Sequence, residues 1–266
     1  ICDMIDKGMI KAIVSTGALM AHGFVESVGM RHFKYNGGMD DVELFEKGYN
    51  RVYDTLELEK NLDDAEEIIM HVLDKVDRNE VLCSCKINEW LGKYLKENTN
   101  GRAILKSAYE KKIPVYIPAF TDSEFGFYVD IYARRQEARG ERPFQFNSFL
   151  DLRHYVEKIK SATKVGIFTI GGGVPRNWAQ QVGPNLDAIE KRFPGQGGLK
   201  RFQYGVRICP EPVHWGGLSG CTYSENISWG KFMPEKEGGR FAEVYSDATI
   251  AWPIILKAVM ERLNKK

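Results

Sequence analysis

The segment SENISWGKFMPE, residues 224–235, sets Lys231 directly after Trp229 and Gly230, with Glu225 close upstream. A lysine attacks an imine or carbonyl carbon only as the neutral amine, and its ordinary pKa near 10.4 keeps it charged at neutral pH. Burial against an aromatic surface disfavours the ammonium and lowers that value. Trp229 is the right residue type for such a surface, and Glu225 for pairing with a cationic substrate. A solvated lysine at the end of a loop fits the same W-G-K letters, because lysine is rarely fully buried.

Other segments are rich in the small and polar residues that let a ligand approach the backbone. STGALMAHG (15–23) places Thr16 and Gly17 where a short strand turns into a helix. AFTDSEFG (119–126) places Thr121 and Asp122 at a second such turn, and IGGGVPRNW (170–178) places Gly171, Gly172 and Gly173 at a third, followed by Pro175 at an expected first helical position. Helix N-termini there suit an anionic group, and freed amides suit a pyrophosphate. Each loop alone suits tight packing equally well, and Gly171–Gly173 is not the G-x-G-x-x-G fingerprint. Taken together at one sheet edge, they favour a nucleotide-sized ligand.

The elements that would position these residues follow from periodicity. Helices are expected over 2–11, from about Ala18, over 57–76, 87–97, 102–111, 147–161 and about 248–264, the last with Pro253 in its first turn or at a kink. Short apolar strands are expected at KAIVS, KIPVYIPAF, KVGIFTI, 202–208 and 242–245. Helices alternating with wholly apolar strands predict an α/β fold: a doubly wound, mostly parallel sheet with helices on both faces, formed by residues 1–266 as one domain. Ligands in such sheets bind beyond the carboxyl ends of the strands, here just after Ser15, Phe120, Ile170 and Ile208.

Bulk properties narrow the class. Among 266 residues, 37 Lys and Arg balance 36 Asp and Glu for a net charge of +1, so charge gives no case for nucleic acid or an anionic membrane. No apolar run reaches the roughly 18 residues of a membrane span. The opening ICDMIDKGMIK is too charged for a signal-peptide core, and without an initiator Met it is expected to continue upstream. The odd, scattered set Cys2, Cys83, Cys85, Cys209 and Cys221 suits reduced thiols and a cytoplasmic location. Cys83-Ser84-Cys85 lacks a second Cys or His pair at zinc spacing, so no metal site is expected there. His22, His32, His71, His154 and His214 are equally dispersed.

The blocks ENISWGKF, IGGGVPRNW, IPVYIPAFTD and VYSDATIAWPI, with IVSTGALMAHGFVESVG, resemble deoxyhypusine synthase over nearly the whole chain, and E-x-x-S-W-G-K is specific to that family. The resemblance implies a Rossmann-like NAD fold, an upstream segment absent here, and a homotetramer with active sites between paired subunits. It implies a reaction in which NAD takes a hydride from spermidine, the resulting imine loses 1,3-diaminopropane, and the aminobutyl group passes to the active-site lysine and then to an acceptor amine. Lys231 matches that lysine, Trp229 the tryptophan beside the substrate, and Glu225 the carboxylate facing an amino end of spermidine. Thr16, Gly17, Asp122, Gly171, Gly172 and Asp247 match positions around NAD.

The departures concern the substrate lining. Arg176-Asn177-Trp178 replaces a basic residue followed by histidines, and HWGGLSG (214–220) replaces an acidic stretch, with Trp215 and Leu218 at its aspartates. Phe127 stands where the family has another aspartate. Lost carboxylates weaken a site for a polycation; His214 and Glu211 are the residues that would restore part of it, His214 as a substrate-binding candidate. The expected activity is therefore NAD-dependent transfer of an aminobutyl group from spermidine or a related amine. Its acceptor is a protein lysine, or a small amine as in homospermidine synthesis, the altered lining favouring the small or an unidentified acceptor. The reading from another class is a non-catalytic, NAD-binding oligomer.

Overall fold

The computed structural model describes residues 1–264. Its contacts divide the chain into two compact units, Ile1–Asp151 and Leu152–Lys266. The first runs α1 (Cys2–Asp6), β1 (Ile13–Val14), α2 (Gly17–Ser27), β2 (His32–Lys34), α3 (Asp41–Glu46), β3 (Tyr49–Val52), β4 (Thr55–Leu58), α4 (Glu59–Leu73), β5 (Val81–Leu82), α5 (Ser84–Asn98), α6 (Ile104–Glu110), β6 (Val115–Tyr116), α7 (Glu124–Ala138) and β7 (Gln145–Phe146). The unit boundary falls within α8 (Phe149–Ser161). The second continues with β8 (Gly166–Ile170), α9 (Gly173–Gln180), α10 (Val182–Arg192), β9 (Tyr204–Ile208), α11 (Tyr223–Ser228), β10 (Arg240–Val244) and α12 (Ala248–Asn264).

The architecture is mixed α/β with parallel strands, as the alternation predicts, but the strands are shared among several sheets. In the first unit β1 pairs with β6 and β5 with β7, both parallel, while β2, β4 and β3 form an antiparallel sheet in that order. In the second unit β10, β9 and β8 form a parallel sheet, with Gly166 opposite Tyr204 and Ile170 opposite Ile208. The antiparallel sheet has no counterpart in the sequence reading. Its strands HFK, YNRV and TLEL are three or four residues long and lack sustained alternation, so periodicity gives little to read.

The first unit's core is built by helix stripes. Ile87, Leu91 and Leu95 recur every fourth residue on α5 and are buried, as are Ala65, Ile69 and Leu73 on α4. Gly92 lets α5 meet α6, since a Cβ there would lie 2.4 Å from the Leu105 carbonyl oxygen. The Phe24 and Phe125 rings pack edge to face at 5.8 Å across α2 and α7. Asp151 caps α5, its two oxygens each accepting at 2.9 Å from the backbone N–H of Ser84 and of Cys85.

Most expected helices are present with shifted ends. The exception is 2–11, which stops at Asp6 because Gly8 turns the chain at φ +70°. Pro253 is the sixth residue of α12, beyond the first turn, so the Thr249 carbonyl lacks its usual intrahelical donor. Expectation had both sheet faces covered. In the second unit, however, Phe168 of β8 remains 37% exposed, and α12 carries Ile250, Ile254 and Leu263 exposed. No helix among the described residues is long and apolar enough to cross a membrane.

Candidate active site around Lys231

The stop signal of a helix places the lysine. Thr222 caps α11, its hydroxyl accepting from the Glu225 N–H at 3.1 Å. At the other end Gly230 adopts φ +70°, its N–H donates to the Ile227 carbonyl (2.9 Å), and the Lys231 N–H donates to the Asn226 carbonyl (3.1 Å). That bond pair is a Schellman motif, with Gly230 as the left-handed residue and Lys231 the position after it. Glycine after Trp229 therefore ends the helix and aims the chain.

The backbone of Lys231 is fixed on its far side as well. Its carbonyl accepts from the Phe202 N–H (3.0 Å), and the Met233 N–H donates back to Phe202 (2.9 Å), so Phe202 and Phe232 form a parallel bridge. Phe232 is fully buried, with its ring 4.9 Å from Tyr223, 5.3 Å from Phe241 and 5.4 Å from Phe202. The lysine's backbone thus lies ahead of the first residue of β9, away from the carboxyl strand ends to which the sequence directs attention.

Lys231 is only 5% exposed. Its Nζ donates to Oδ1 of Asn177 at 2.8 Å and lies 5.9 Å from the Trp229 ring centroid. Burial pushes the amine below its ordinary value; Cys221 and Glu225 act against that shift and the Arg176 guanidinium acts with it. Cys221 is itself pushed up, by burial first and then by Glu225, so it stays a thiol at neutral pH. Among the described residues, the one side-chain acceptor of Nζ is a neutral amide oxygen, which does not hold the ammonium as a carboxylate would. Trp229 is 62% exposed, so its ring is an open flank of the amine rather than an enclosing wall.

Two buried arginines brace the neighbouring loop. Nη1 of Arg176 donates to the Cys221 carbonyl at 2.8 Å and, at longer range, to those of Leu218 and Ser219. Nη1 of Arg207 donates to the Ser219 and Cys221 carbonyls, and its Nη2 pairs with Glu243 at 3.3 Å. Glu243 also accepts from the Tyr223 N–H at 2.9 Å, tying β10 to the start of α11. Arg176 is held below its ordinary value by burial, partly offset by Tyr223.

The remaining candidates fall into a group in each unit. In the second, Gly171 (φ +75°), Gly172 and Asp247 follow the carboxyl ends of β8 and β10 in one parallel sheet. A Cβ on Gly172 would stand 2.5 Å from Ser219 Cα, so packing alone requires glycine there, whereas Gly171 faces open space. Asp247 is exposed; its Oδ1 accepts from Thr249 N (2.8 Å) and Oγ1 (2.6 Å), which keeps its carboxyl below the usual range. His214 sits on an exposed 3₁₀ turn, its ring 6.4 Å from that of Trp215. Pro175 is the third residue of α9 rather than the first, still within the turn that needs no N–H.

In the first unit Thr16 caps α2, accepting from the Leu19 N–H at 3.4 Å. Gly17 packs on the residue after Asp122, a Cβ there coming 2.1 Å from Ser123 Cβ. Thr16, Gly17 and Asp122 thus gather beyond the carboxyl ends of the adjacent parallel strands β1 and β6.

Comparison with known proteins bears on the family of the chain. The deoxyhypusine synthase family model matches residues 1–259. A probable deoxyhypusine synthase 2 from Methanosarcina acetivorans is 31% identical over 99% of this chain and 72% of its own length. A deoxyhypusine synthase-like protein from Chlorobaculum tepidum is 33% identical, again over 99% and 72%. The crystal structure of a putative deoxyhypusine synthase from Entamoeba histolytica superposes with a TM-score of 0.55 at 13% identity, over 96% of this chain and 67% of that one, a likeness of fold. The chain belongs to the deoxyhypusine synthase family.

Sequence reasoning missed Asn177 and Cys221 as neighbours of the lysine and Arg207 as a brace of the adjoining loop. Asn177 carried a signal, since it stands where the family resemblance places a histidine, but it read as a loss rather than as the partner of Lys231. The other two gave none, because their contacts come from a buried network that no local pattern encodes.

Proposed function

We propose that this protein is an NAD-dependent transferase that moves an aminobutyl group from spermidine or a related amine, through an imine on Lys231, to an acceptor amine. Family membership supports the transferase class. The observation that carries the residue assignment is the Lys231 amine, buried and bonded to the Asn177 amide oxygen. An amine so placed loses its proton more readily and presents a lone pair to carbon.

The residues present fit NAD within a Rossmann-like, doubly wound arrangement. α2 and α9 begin beyond the ends of parallel strands, and Gly171 leaves open space where a side chain would stand. Asp122 and Asp247 are exposed carboxylates at such ends, suited to ribose hydroxyls. Thr16, Gly17 and Asp122 in the first unit, and Gly171, Gly172 and Asp247 in the second, are each suited to contact the cofactor, which supplies hydride acceptance from, and return to, the carbon beside the amine. Lys231 Nζ forms a C–N bond to that carbon as the departing diamine leaves with the electrons of its C–N bond and a proton; the acceptor amine later displaces Lys231 in the same sense. Glu225, exposed and close enough to influence Lys231, pairs with a cationic end of the substrate, and Trp229 flanks its methylenes. His214 supplies a further polar contact from the 214–220 loop.

Two buried guanidiniums hold that loop, and Trp215 and Leu218 are exposed on it, so the lining is less favourable to a polycation than an acidic stretch. This supports a small or unidentified amine as acceptor over a protein lysine. A cytoplasmic homotetramer with sites between paired subunits is part of the same reading. Borohydride treatment with NAD and spermidine, followed by peptide mapping, tests it: an aminobutyl adduct on Lys231 is expected. A protein that binds NAD yet gives no adduct would instead be the non-catalytic oligomer.

A further inference from the structure

A second cluster of chemistry-bearing side chains lies in the first unit. β2 and β4 run antiparallel with His32 directly opposite Glu57, and α2 brings His22 to the same carboxylate. His22 Nδ1 is 2.8 Å from Glu57 Oε2, and His32 Nε2 is 3.3 Å from Glu57 Oε1. The ligand atoms of the three residues all lie within 4.8 Å of one another. Tetrahedral ligands at about 2.0–2.1 Å from a zinc ion stand about 3.3 Å apart, so small side-chain shifts would admit one.

Two further features distinguish this cluster from an ordinary histidine–carboxylate contact. Glu57 is 2% exposed, and among the described residues its buried Oε1 accepts no hydrogen bond, His32 Nε2 at 3.3 Å being an ion-pair contact only. A buried carboxylate oxygen left unsatisfied is costly unless a cation meets it. The other nitrogen of His32, Nδ1, bonds Glu26 Oε1 at 3.0 Å, and Glu26 lies one helical turn after His22 on α2. A carboxylate on the far nitrogen is how metal-bound imidazoles are oriented and made more basic. By contrast, Cys83, Cys85 and Asp151 also cluster, but both Asp151 oxygens already accept from the start of α5.

We propose that His22, His32 and Glu57 bind one first-row divalent transition-metal ion of the zinc type, with Glu26 orienting His32. Two imidazole nitrogens and one carboxylate oxygen suit zinc or its borderline neighbours, not calcium or magnesium, which demand oxygen ligands. Three protein ligands leave a coordination position open. The cluster lines an open cavity of about 650 Å³, with Leu19, Phe33 and Ile104 among its apolar walls, so water or a small donor can complete the shell.

The test is titration of chelator-treated protein with Co²⁺ alone, read by visible d–d absorption and checked by displacement with Zn²⁺. One equivalent per chain is expected. H22A and H32A, shown to be folded by circular dichroism, should each weaken binding at least tenfold. E26Q should weaken it about 10- to 100-fold, and the C83S/C85S double variant should bind as the unaltered chain does. No d–d absorption in the unaltered protein would overturn the assignment. So would binding that survives in both histidine variants, or that vanishes in the cysteine double variant.

Discussion

Nζ of Lys231 and Oδ1 of Asn177 are 2.8 Å apart, joining the residue after the helix α11 stop to the second turn of α9. A neutral amide accepts this bond whether the amine is charged or not, so the bond positions the nitrogen while burial drives the proton off. A carboxylate at 177 would position it equally well and hold the proton on.

Asn177→Asp is therefore predicted to keep the fold and to move the pH at which half of the Lys231 adduct forms upward by about one to three pH units. Borohydride trapping over a pH series reads it. An unshifted midpoint would remove Asn177 from control of the amine.

Stability should carry the same signature. Lys231 titrates lower in the folded chain than its ordinary value of 10.5, so between those two values the unfolded chain holds more protons and stability rises with pH. Lys231→Met lacks the group. Its denaturation midpoint should exceed that of the unaltered chain below the window, with the advantage shrinking as pH rises through it. A constant difference would mean that burial does not perturb the amine.

Glu225→Gln is expected to raise the KM for the amine about tenfold, equivalent to ~1.4 kcal/mol, while NAD affinity and the denaturation midpoint stay put. Steady-state kinetics with spermidine decides this. An unchanged KM would take Glu225 out of the substrate site.

Gly172→Ala should cost about 1–3 kcal/mol in urea unfolding, because its Cβ would meet the Ser219 backbone at 2.5 Å. That backbone is pinned by Arg176 and Arg207 and has little room to yield. A variant as stable as the unaltered chain would show the 214–220 loop to be loosely held.

How much of this was legible in the sequence depends on the range of each signal. Helices α4, α5 and α12 announce themselves by apolar spacing, and parallel strands by apolar runs such as KVGIFTI. Glycine after Trp229 carried the helix stop in plain letters, although the α11 segment is too short to read as a helix, so its cap could not be recognised as one. His32 facing Glu57 depends on the register of an antiparallel sheet with three- and four-residue strands, which no local pattern supplies. The Arg176–Arg207 brace is of the same kind, two distant residues meeting on the carbonyls of one loop.

The reaction at Lys231 is tested most directly by mass spectrometry of small-molecule products after incubation with NAD, spermidine and a panel of amines, with Lys231→Ala beside the unaltered protein. Release of 1,3-diaminopropane is expected from the unaltered protein and none from the variant, with comparable NAD binding by both. Equal release from both, or none from the unaltered protein with NAD and amine bound, would contradict a reaction at Lys231.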